Sequence, residues 1–467
     1  MERSALLDTE EYAPAAGEPD RDSNDLRTSQ PDHYAGHLAD TNKTQDVIST
    51  EDIFNHRGQL LIRKHANINH ECAQRLLQHR LHKPLEEQVQ VKDALNKEAF
   101  FTEYSHFLES YRDIFAAQRH LRFTKDLERL ITDMRLPGVV AQKLTVMKLR
   151  LPDQFQKALF SSWLAALIAR EMSLDKNDVY AAFIAGLTHD IGFLHISPDI
   201  LNKKGETSVN DWRAIQSHVV IGRMVLTGYS EIPDSVPRAV LEHHERCDGT
   251  GYPAAKEEGA LSELGQVVAM ADAIQALRMG MFPKTARNLR DVLPFLRLNS
   301  NTHFYDTYRA TVDILRKSGL EPTPVAHPQG NSHYVPQLVH RIACLKHVVE
   351  VMKNIVAALS KIESGPKGRV SLRSFKQVLN SINTSGMARD ELLGWIELID
   401  DSIEDTVLLE INEIELMQNE LVWQISSVQR SFNSFLEREC NADSQSQSAL
   451  RKYNDELRES LQKLKQF

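Results

Sequence analysis

The stretch His243-His244-Glu245-Arg246-Cys247-Asp248-Gly249-Thr250-Gly251-Tyr252-Pro253 concentrates the chemistry of this chain. Two adjacent imidazoles, a carboxylate and a Gly-rich turn closed by Pro sit badly in a helical protein, because each breaks or burdens a helix. Imidazole nitrogens suit transition metals, and a pair beside a backbone turn points to a metal held next to a substrate. Upstream, His189-Asp190-Ile191-Gly192 adds a second His/carboxylate pair, which supplies the ligand count of a dinuclear centre.

Two more ligand types stand among apolar neighbours. His218 interrupts Ile215-Gln216-Ser217-His218-Val219-Val220-Ile221-Gly222, and Asp272 lies within Val267–Leu277 beside Val268, Met270 and Ile274. Buried there, each needs a partner. Singly, His218 reads as a hydrogen-bonded core histidine and Asp272 as a capped or paired carboxylate. Jointly, six ligand-type residues from successive helices can converge inside one bundle and bind two metals through a bridging carboxylate.

The elements that position them read as helices. His189 and Asp190 follow an apolar helix over Ala181–Leu187, which Gly192 lets the chain leave, and His243 and His244 end a helix over Pro237–Glu242. Residues 137–320, with Leu164–Ile168, Val236–Leu241 and Val267–Leu277 also strongly apolar, lack alternating strands and predict an all-α bundle. Residues 1–44, rich in Asp, Glu, Ser, Thr and Pro, predict a disordered tail.

Between tail and bundle, Ile53-Phe54, Asn55-His56-Arg57-Gly58 and Gln59–Arg63 predict a β-hairpin in a small α+β unit over 45–90, with a helix over Ala73–Leu81. His56, His65, His70, His79 and His82 lack clustered carboxylates and read as solvated histidines. Residues 91–136, where Leu127, Leu130, Ile131 and Met134 recur at helical spacing, predict a helical connector.

Pro and Gly over 321–336 predict a linker, and 337–467 a C-terminal helical region. There Ile342, Leu345, Val348, Met352, Ile355 and Leu359 share one face. Ile414, Met417, Leu421, Ile425, Val428, Phe432 and Phe435 form a seam that serves either an intramolecular bundle or a coiled-coil homodimer. A last helix over Leu450–Leu464 follows a polar break at Asn441–Ser448.

Composition bounds the function. The 467 residues are 42% hydrophobic and 25% charged, with a net charge of -9, which argues against non-specific binding to DNA or an anionic membrane. Any phosphate-bearing ligand must be caught locally. Cys72, Cys247, Cys344 and Cys440 form no CxxC pair, and neither an apolar leader nor an apolar run of membrane-spanning length is present, so a reducing cytoplasm is expected.

His-Asp, then His, His-His, Asp-Gly-x-Gly-Tyr-Pro and Asp together resemble the HD-GYP family of bacterial cyclic di-GMP phosphodiesterases. The match runs from about Ala181 to Leu277 and includes Ile196–Gly205, Trp212 and the His218-to-Gly222 spacing; the helices from Leu144 to Leu320 follow more loosely. The N-terminal hairpin unit is similar to the small domain that often precedes this one. The resemblance implies a mainly α fold: an HD-type helical bundle with the hairpin-containing unit before it and the C-terminal helices after it. It implies a metal centre of iron or manganese, with at least two divalent ions in the family and one or two here, that activates water against the cyclic dinucleotide. His189, Asp190 and Asp272 would serve the first metal, with Asp190 bridging, and His218, His243 and His244 the second. Asp248, Gly249, Gly251, Tyr252 and Pro253 would form a ligand loop that in the family also meets diguanylate cyclase (GGDEF) domains.

Three positions depart from the family. No histidine occurs between His120 and His189, so the ligand expected near Lys157–Phe160 is missing, with Asp153 the nearest carboxylate. Phe193 stands where the family carries lysine after His-Asp-x-Gly, and Gln266 where it carries arginine before the last aspartate. Lys203 and Arg246, with Lys204 and Arg223, are the cations available to compensate. Two readings follow: a slow or partner-dependent cyclic di-GMP phosphodiesterase, or a degenerate module that binds metal, nucleotide or partner proteins. A generic HD-type nucleotide phosphohydrolase gives Asp248–Pro253 no role.

Overall fold

The computed structural model describes residues 33–204, 208–282, 287–325, 331–362, 365–399, 404–438, 440 and 444–465. Residues 1–32 of the expected tail, residue 205 of the matched stretch, residues 326–330 of the expected linker and residues 441–443 of the polar break lie outside that set. The tail ends earlier than its composition suggested. Helix α1 (Tyr34–Thr41) buries Tyr34, Ala35, Leu38 and Ala39, enough apolar surface to order it.

Two short antiparallel pairs follow. β1 (Val47–Ser49) pairs with β4 (Val89–Val91), and β2 (Ile53–Phe54) pairs with β3 (Leu60–Ile62) as the expected hairpin. Its turn is set by Asn55, whose side-chain oxygen accepts from the backbone N–H of Arg57 and Gln59, and by Gly58 at φ +77°. The β1–β4 pair was not anticipated, because three-residue strands carry too little alternation to be read. α2 (His70–Leu77) starts before the expected Ala73 because Asn69 caps it, accepting from the N–H of Cys72 at 2.9 Å.

The connector folds into α3 (Lys97–Ser110), α4 (Arg112–His120) and α5 (Thr124–Asp133). One hydrophobic core runs from Tyr34 to Leu315, so the N-terminal unit, connector and central bundle share an interior rather than standing as separate bodies. At their junction Lys143 is fully buried. Its ammonium lies 2.8 Å from His195 Nε2, 3.6 Å from a Glu86 carboxylate oxygen and 3.7 Å over the Tyr34 ring. A buried cation needs such partners.

In the bundle, α6 (Gly138–Arg150) leads to α7 (Pro152–Glu171), which opens on a proline at its first turn and buries nearly every residue from Phe155 to Ala169. α8 (Lys176–Thr188), capped by Asp175, packs along α7 and ends at His189. A 3-10 turn (Ile191–His195), α9 (Pro198–Leu201), α10 (Val209–Gln216), α11 (His218–Leu226) and α12 (Ser235–Glu242) follow. α13 (Glu263–Gln275), capped by Ser262, runs back against α7, and α14 (Leu293–Leu298) and α15 (Tyr305–Arg316) close the unit.

The helix resumes earlier than the expected linker end at 336. α16 (Asn331–Leu359) runs through Pro336. With α17 (Pro366–Ser385), α18 (Asp390–Glu397), α19 (Asp405–Arg438) and α20 (Ser444–Lys465) it encloses a second core. The seam residues Ile414, Met417, Leu421, Ile425, Phe432 and Phe435 are buried there within the chain. Of the two uses open to that seam, the structure takes the intramolecular bundle. The fold is thus mainly α, as expected, and no described helix is long and apolar enough to cross a membrane.

His37 of α1 gives this fold a pH response. It is buried with Nε2 lacking a hydrogen-bond partner, and burial, aided by Arg150, pushes its pKa from 6.5 to about 4. Between those values the unfolded chain binds the proton and the folded chain does not. The contribution of a neutral His37 is therefore full above the unfolded pKa and is lost as pH falls through the folded one. Urea midpoints at pH 7 and pH 5 are expected to differ less in His37→Phe than in the parent; an identical difference would remove His37 as a cause.

Candidate metal centre

Three of the six ligand-type residues use one device. His189, His218 and His243 sit at or just beyond the C-terminal ends of α8, α10 and α12, and each ring turns back on the carbonyl three residues earlier. His189 Nδ1 lies 2.8 Å from Gly186 O, His218 Nδ1 2.6 Å from Ile215 O and His243 Nδ1 2.7 Å from Val240 O. A carbonyl only accepts, so each Nδ1 carries the proton and donates it. Each Nε2 is left as the lone-pair nitrogen, the tautomer a metal needs.

Those nitrogens meet at Asp190. Its Oδ2 lies 3.3 Å from His189 Nε2, and its Oδ1 lies 3.4 Å from His218 Nε2 and 3.8 Å from His243 Nε2. Asp272, from α13, also spans both halves: Oδ1 lies 3.6 Å from His189 Nε2 and Oδ2 3.9 Å from His244 Nδ1. His218 is the first residue of α11, placed by a break at Ser217 where the sequence suggested a continuous helix. Gly192 makes the approach possible, since a Cβ there would sit 2.1 Å from the His218 carbonyl oxygen.

Electrostatics follow from burial and the two carboxylates. Burial lowers His218, takes His243 down to about 3 and holds His244 well below its usual 6.5, so these rings are neutral. At His189 burial works the same way, but Asp190 and then Asp272 outweigh it and raise the ring to about 10. Burial would raise Asp190, yet the imidazoles of His189, His218 and His243 hold it far below the carboxylate range. His189 Nε2, facing both carboxylates, makes no hydrogen bond. A divalent cation satisfies those oxygens and that nitrogen together, and Asp190, His218, His243 and His244 offer ligand atoms all within 4.8 Å of one another. The donor set fits a divalent metal.

The loop beyond His244 is fastened by carboxylates. Glu245, buried, accepts from the N–H of Ala254 at 2.7 Å and of Lys256 at 3.0 Å. Glu242, also buried, accepts from Ser262 N at 2.8 Å, Lys256 Nζ at 2.8 Å and Arg238 Nε at 2.9 Å. Burial opposes its charge, but these donors, Lys256 foremost, bring its pKa down to about 2. Asp248 accepts from Thr250 N at 2.9 Å and Oγ1 at 2.6 Å. Gly249 takes φ +70°, and a Cβ on Gly251 would meet Glu245 Cα, Arg246 N and His244 O at 2.5 Å, so both glycines are required. Tyr252, before the cis Pro253, stacks on His244 with centroids 4.7 Å apart.

The departures have structural outcomes. Phe193 lies flat on His218, centroids 4.2 Å apart at 17°, and joins Ile196, Trp212 and Ile215 in a small apolar cluster against Tyr252. Gln266 is buried and accepts from the Cys247 thiol at 3.4 Å, a proton the thiol keeps because burial pushes it up to about 12. Lys157 is half-buried and Asp153 exposed, and neither joins the ligand cluster. Of the compensating cations, Lys203 is paired with Asp211 at 2.6 Å on the surface, Lys204 and Arg223 are exposed, and Arg246 acts on the Tyr252 phenol. The five N-terminal histidines are all exposed. Sequence reasoning missed the roles of Glu242 and Ser262; an N-cap serine before an apolar helix was the available signal.

A family described as HD domain matches residues 127–308. The 3'3'-cGAMP-specific phosphodiesterase 1 of Vibrio cholerae is 27% identical over 198 residues, 42% of this chain and 45% of that protein. The cyclic di-GMP phosphodiesterase of Thermotoga maritima is 34% identical over 180 residues, 37% of this chain and 48% of that protein. Residues 127–308 thus carry an HD domain. The chain covers less than half the length of either relative. A solved HDG"Y"P protein of Bdellovibrio bacteriovorus, Bd1817, aligns over 57% of this chain and 95% of its own at 14% identity and a TM-score of 0.30, too low to carry an argument about geometry.

The close approach at Gly192 is directly testable. Gly192→Ala forces the His189–Asp190 turn away from His218 and is expected to weaken manganese binding about 10- to 100-fold in anaerobic titration, the scale of other supporting-shell losses. Unchanged affinity would mean that the two halves do not share a metal.

Proposed function

We propose that this chain is a metal-dependent phosphodiesterase that opens a phosphodiester of a cyclic dinucleotide, cyclic di-GMP or a close analogue, and that it does so slowly. One observation carries the reading: Asp190 stands within 3.3 to 3.8 Å of three imidazole nitrogens, with Asp272 completing the ring of donors. His189, Asp190 and Asp272 form one ligand set and His218, His243 and His244 the other, with Asp190 shared. Two divalent cations, iron or manganese, would supply Lewis acidity at a phosphate oxygen and acidify a bound water.

The chain's own contribution is placement. The helix-end carbonyls hold each Nε2 toward Asp190, and the Gly251 backbone packs against His244 and Glu245 to fix the loop. Tyr252, raised by burial and then by Asp272 and Asp190, keeps its phenolic proton and backs His244. Phe193, Ile196 and Trp212 exclude water from one side. The names carried by the matched relatives support a cyclic dinucleotide as the substrate class.

Slowness follows from what is missing. With Phe193 and Gln266 in place of two phosphate-facing cations, two charge-assisted hydrogen bonds are lost, each worth about 1.5–3 kcal/mol. A regulatory role is a second reading, favoured by one contact: Arg373 of α17 reaches the Gly249 carbonyl at 3.5 Å and Glu257 at 2.9 Å. A cyclase-domain partner at this loop, in the cytoplasm, would compete with the chain's own C-terminal bundle.

The test is incubation of protein loaded anaerobically with iron or manganese with cyclic di-GMP and 3'3'-cGAMP, products being resolved by chromatography. Slow linear or mononucleotide product is expected, and none from Asp190→Asn. A protein holding at least one metal per chain that yields no product would sink the enzyme reading. Phe193→Lys is expected to raise kcat/KM by about 10-fold or more, the value of one restored charge-assisted bond; no gain would mean the ring does not stand at the phosphate.

A further inference from the structure

A cavity of about 90 Å³ lies away from the metal centre, where the segment around α14 meets α19. Four arginines line it: Arg287, Arg290, Arg297 and Arg316. Two carboxylates, Asp291 and Glu413, line it as well. The balance of charge depends on which of these are already engaged.

Arg297 pairs with Glu413 at 2.9 Å, and Arg287 with Glu415 at 2.9 Å. Asp291 is taken up by backbone donors, Oδ2 accepting from Asn288 N at 2.7 Å and Oδ1 from Thr323 N at 3.0 Å. Arg290 has no ion pair among the described residues. Its Nη1 donates to Leu315 O at 2.7 Å, which fixes the guanidinium, while Nε is buried without a hydrogen-bond partner. Arg316, exposed at the end of α15, likewise has no ion pair among the described residues.

The walls therefore hold surplus positive charge, with the Arg290 guanidinium fixed in place. Planar guanidinium forks match tetrahedral oxyanions. Thr323 adds a hydroxyl, which accepts from Asn288 Nδ2 at 2.8 Å and retains its own proton to donate. The space admits several waters, which suits a phosphate-sized group.

We propose that this cavity binds a phosphate-class oxyanion, either free phosphate or the phosphate of a nucleotide monoester, and that the anion ties the C-terminal bundle to the metal-binding bundle. The second part rests on the walls belonging to both. Asn412 of α19 lines the cavity and clasps Val325, accepting from its N–H at 2.7 Å and donating to its carbonyl at 3.0 Å. This site stands independently of the metal centre and of the reaction proposed there.

The test uses the full chain treated with a chelator, so that metal-bound phosphate does not contribute. Orthophosphate, GMP and guanosine are titrated by calorimetry at constant ionic strength, with thermal unfolding followed in parallel. Saturable orthophosphate binding with a rise in Tm is expected, guanosine having no effect; GMP that binds equally well extends the ligand to monoesters, and GMP that does not restricts it to free phosphate. Arg290→Gln and Arg316→Gln are each expected to weaken binding about 10-fold or more, the equivalent of one charge-assisted hydrogen bond. Arg316→Gln removes an exposed side chain without an ion pair among the described residues, so it tests the site even if Arg290→Gln misfolds. No saturable binding below about 10 mM, a Kd range typical of mere counter-ion association, would overturn the proposal. So would unchanged affinity in Arg316→Gln, or GMP binding without orthophosphate binding.

Discussion

A buried carboxylate among imidazoles is the constraint around which this molecule is arranged. Asp190 is almost wholly removed from water, and an ionised group there is tolerable only if positive charge stands close on several sides. The chain meets that demand with imidazoles, His189 foremost, set at helix ends rather than with lysines or arginines. α8, α10 and α12 all terminate near Asp190, and at each end a histidine takes up a carbonyl that would otherwise lack a partner. One hydrogen bond thus satisfies the helix end and fixes the histidine tautomer. The negative ends of three helix dipoles converge on the same point, which favours a cation and disfavours a bare carboxylate. The site is poised for metal by backbone as much as by side chains.

The C-terminal bundle is joined to this centre by more than a tether. Gln424 of α19 donates to Asn299 Oδ1 at 3.0 Å, Thr302 Oγ1 donates to Asn299 O at 2.8 Å, and Cys247 N donates to Thr302 O at 3.1 Å. That series leads from the second core to a residue three positions past His244. Its members Gln424, Asn299 and Thr302 are buried, so breaking any one link would leave an unsatisfied group rather than a water contact. Arg373 meets the same loop from its outer side. Mechanical continuity between bundle and loop is therefore built from polar contacts, which can rearrange without emptying either hydrophobic core.

Much of the centre was legible because metal ligands are short-range chemical signals. His189, Asp190, His218, His243, His244 and Asp272 announce themselves as polar residues in apolar helices, and the helical period places them without knowledge of the packing. The hairpin was legible for the same reason, since Asn55 and Gly58 dictate a turn locally. What escaped depends on distant contacts. The β1–β4 pair joins residues about forty apart through three-residue strands, and the ordering of α1 depends on Tyr34 and Leu38 finding a core that begins far downstream. The early restart of the helix at Asn331 overrode the local veto of Pro336, because a proline's cost is repaid when Tyr34-like aromatic and aliphatic neighbours, here Tyr334 and Leu338, are buried. The double use of the Ile414–Phe435 seam could not be decided from periodicity, which says that a face is buried and not by what.

Phe193 gives the site its particular character. A lysine there would set a cation against His218. The phenyl ring instead stacks on His218 and shields it, which keeps that imidazole dry and neutral and lowers the local dielectric around the two carboxylates. Attraction between a divalent ion and such ligands would be strengthened by the same change. Gln266 acts in the same sense, giving its oxygen to Cys247 where an arginine would have brought charge.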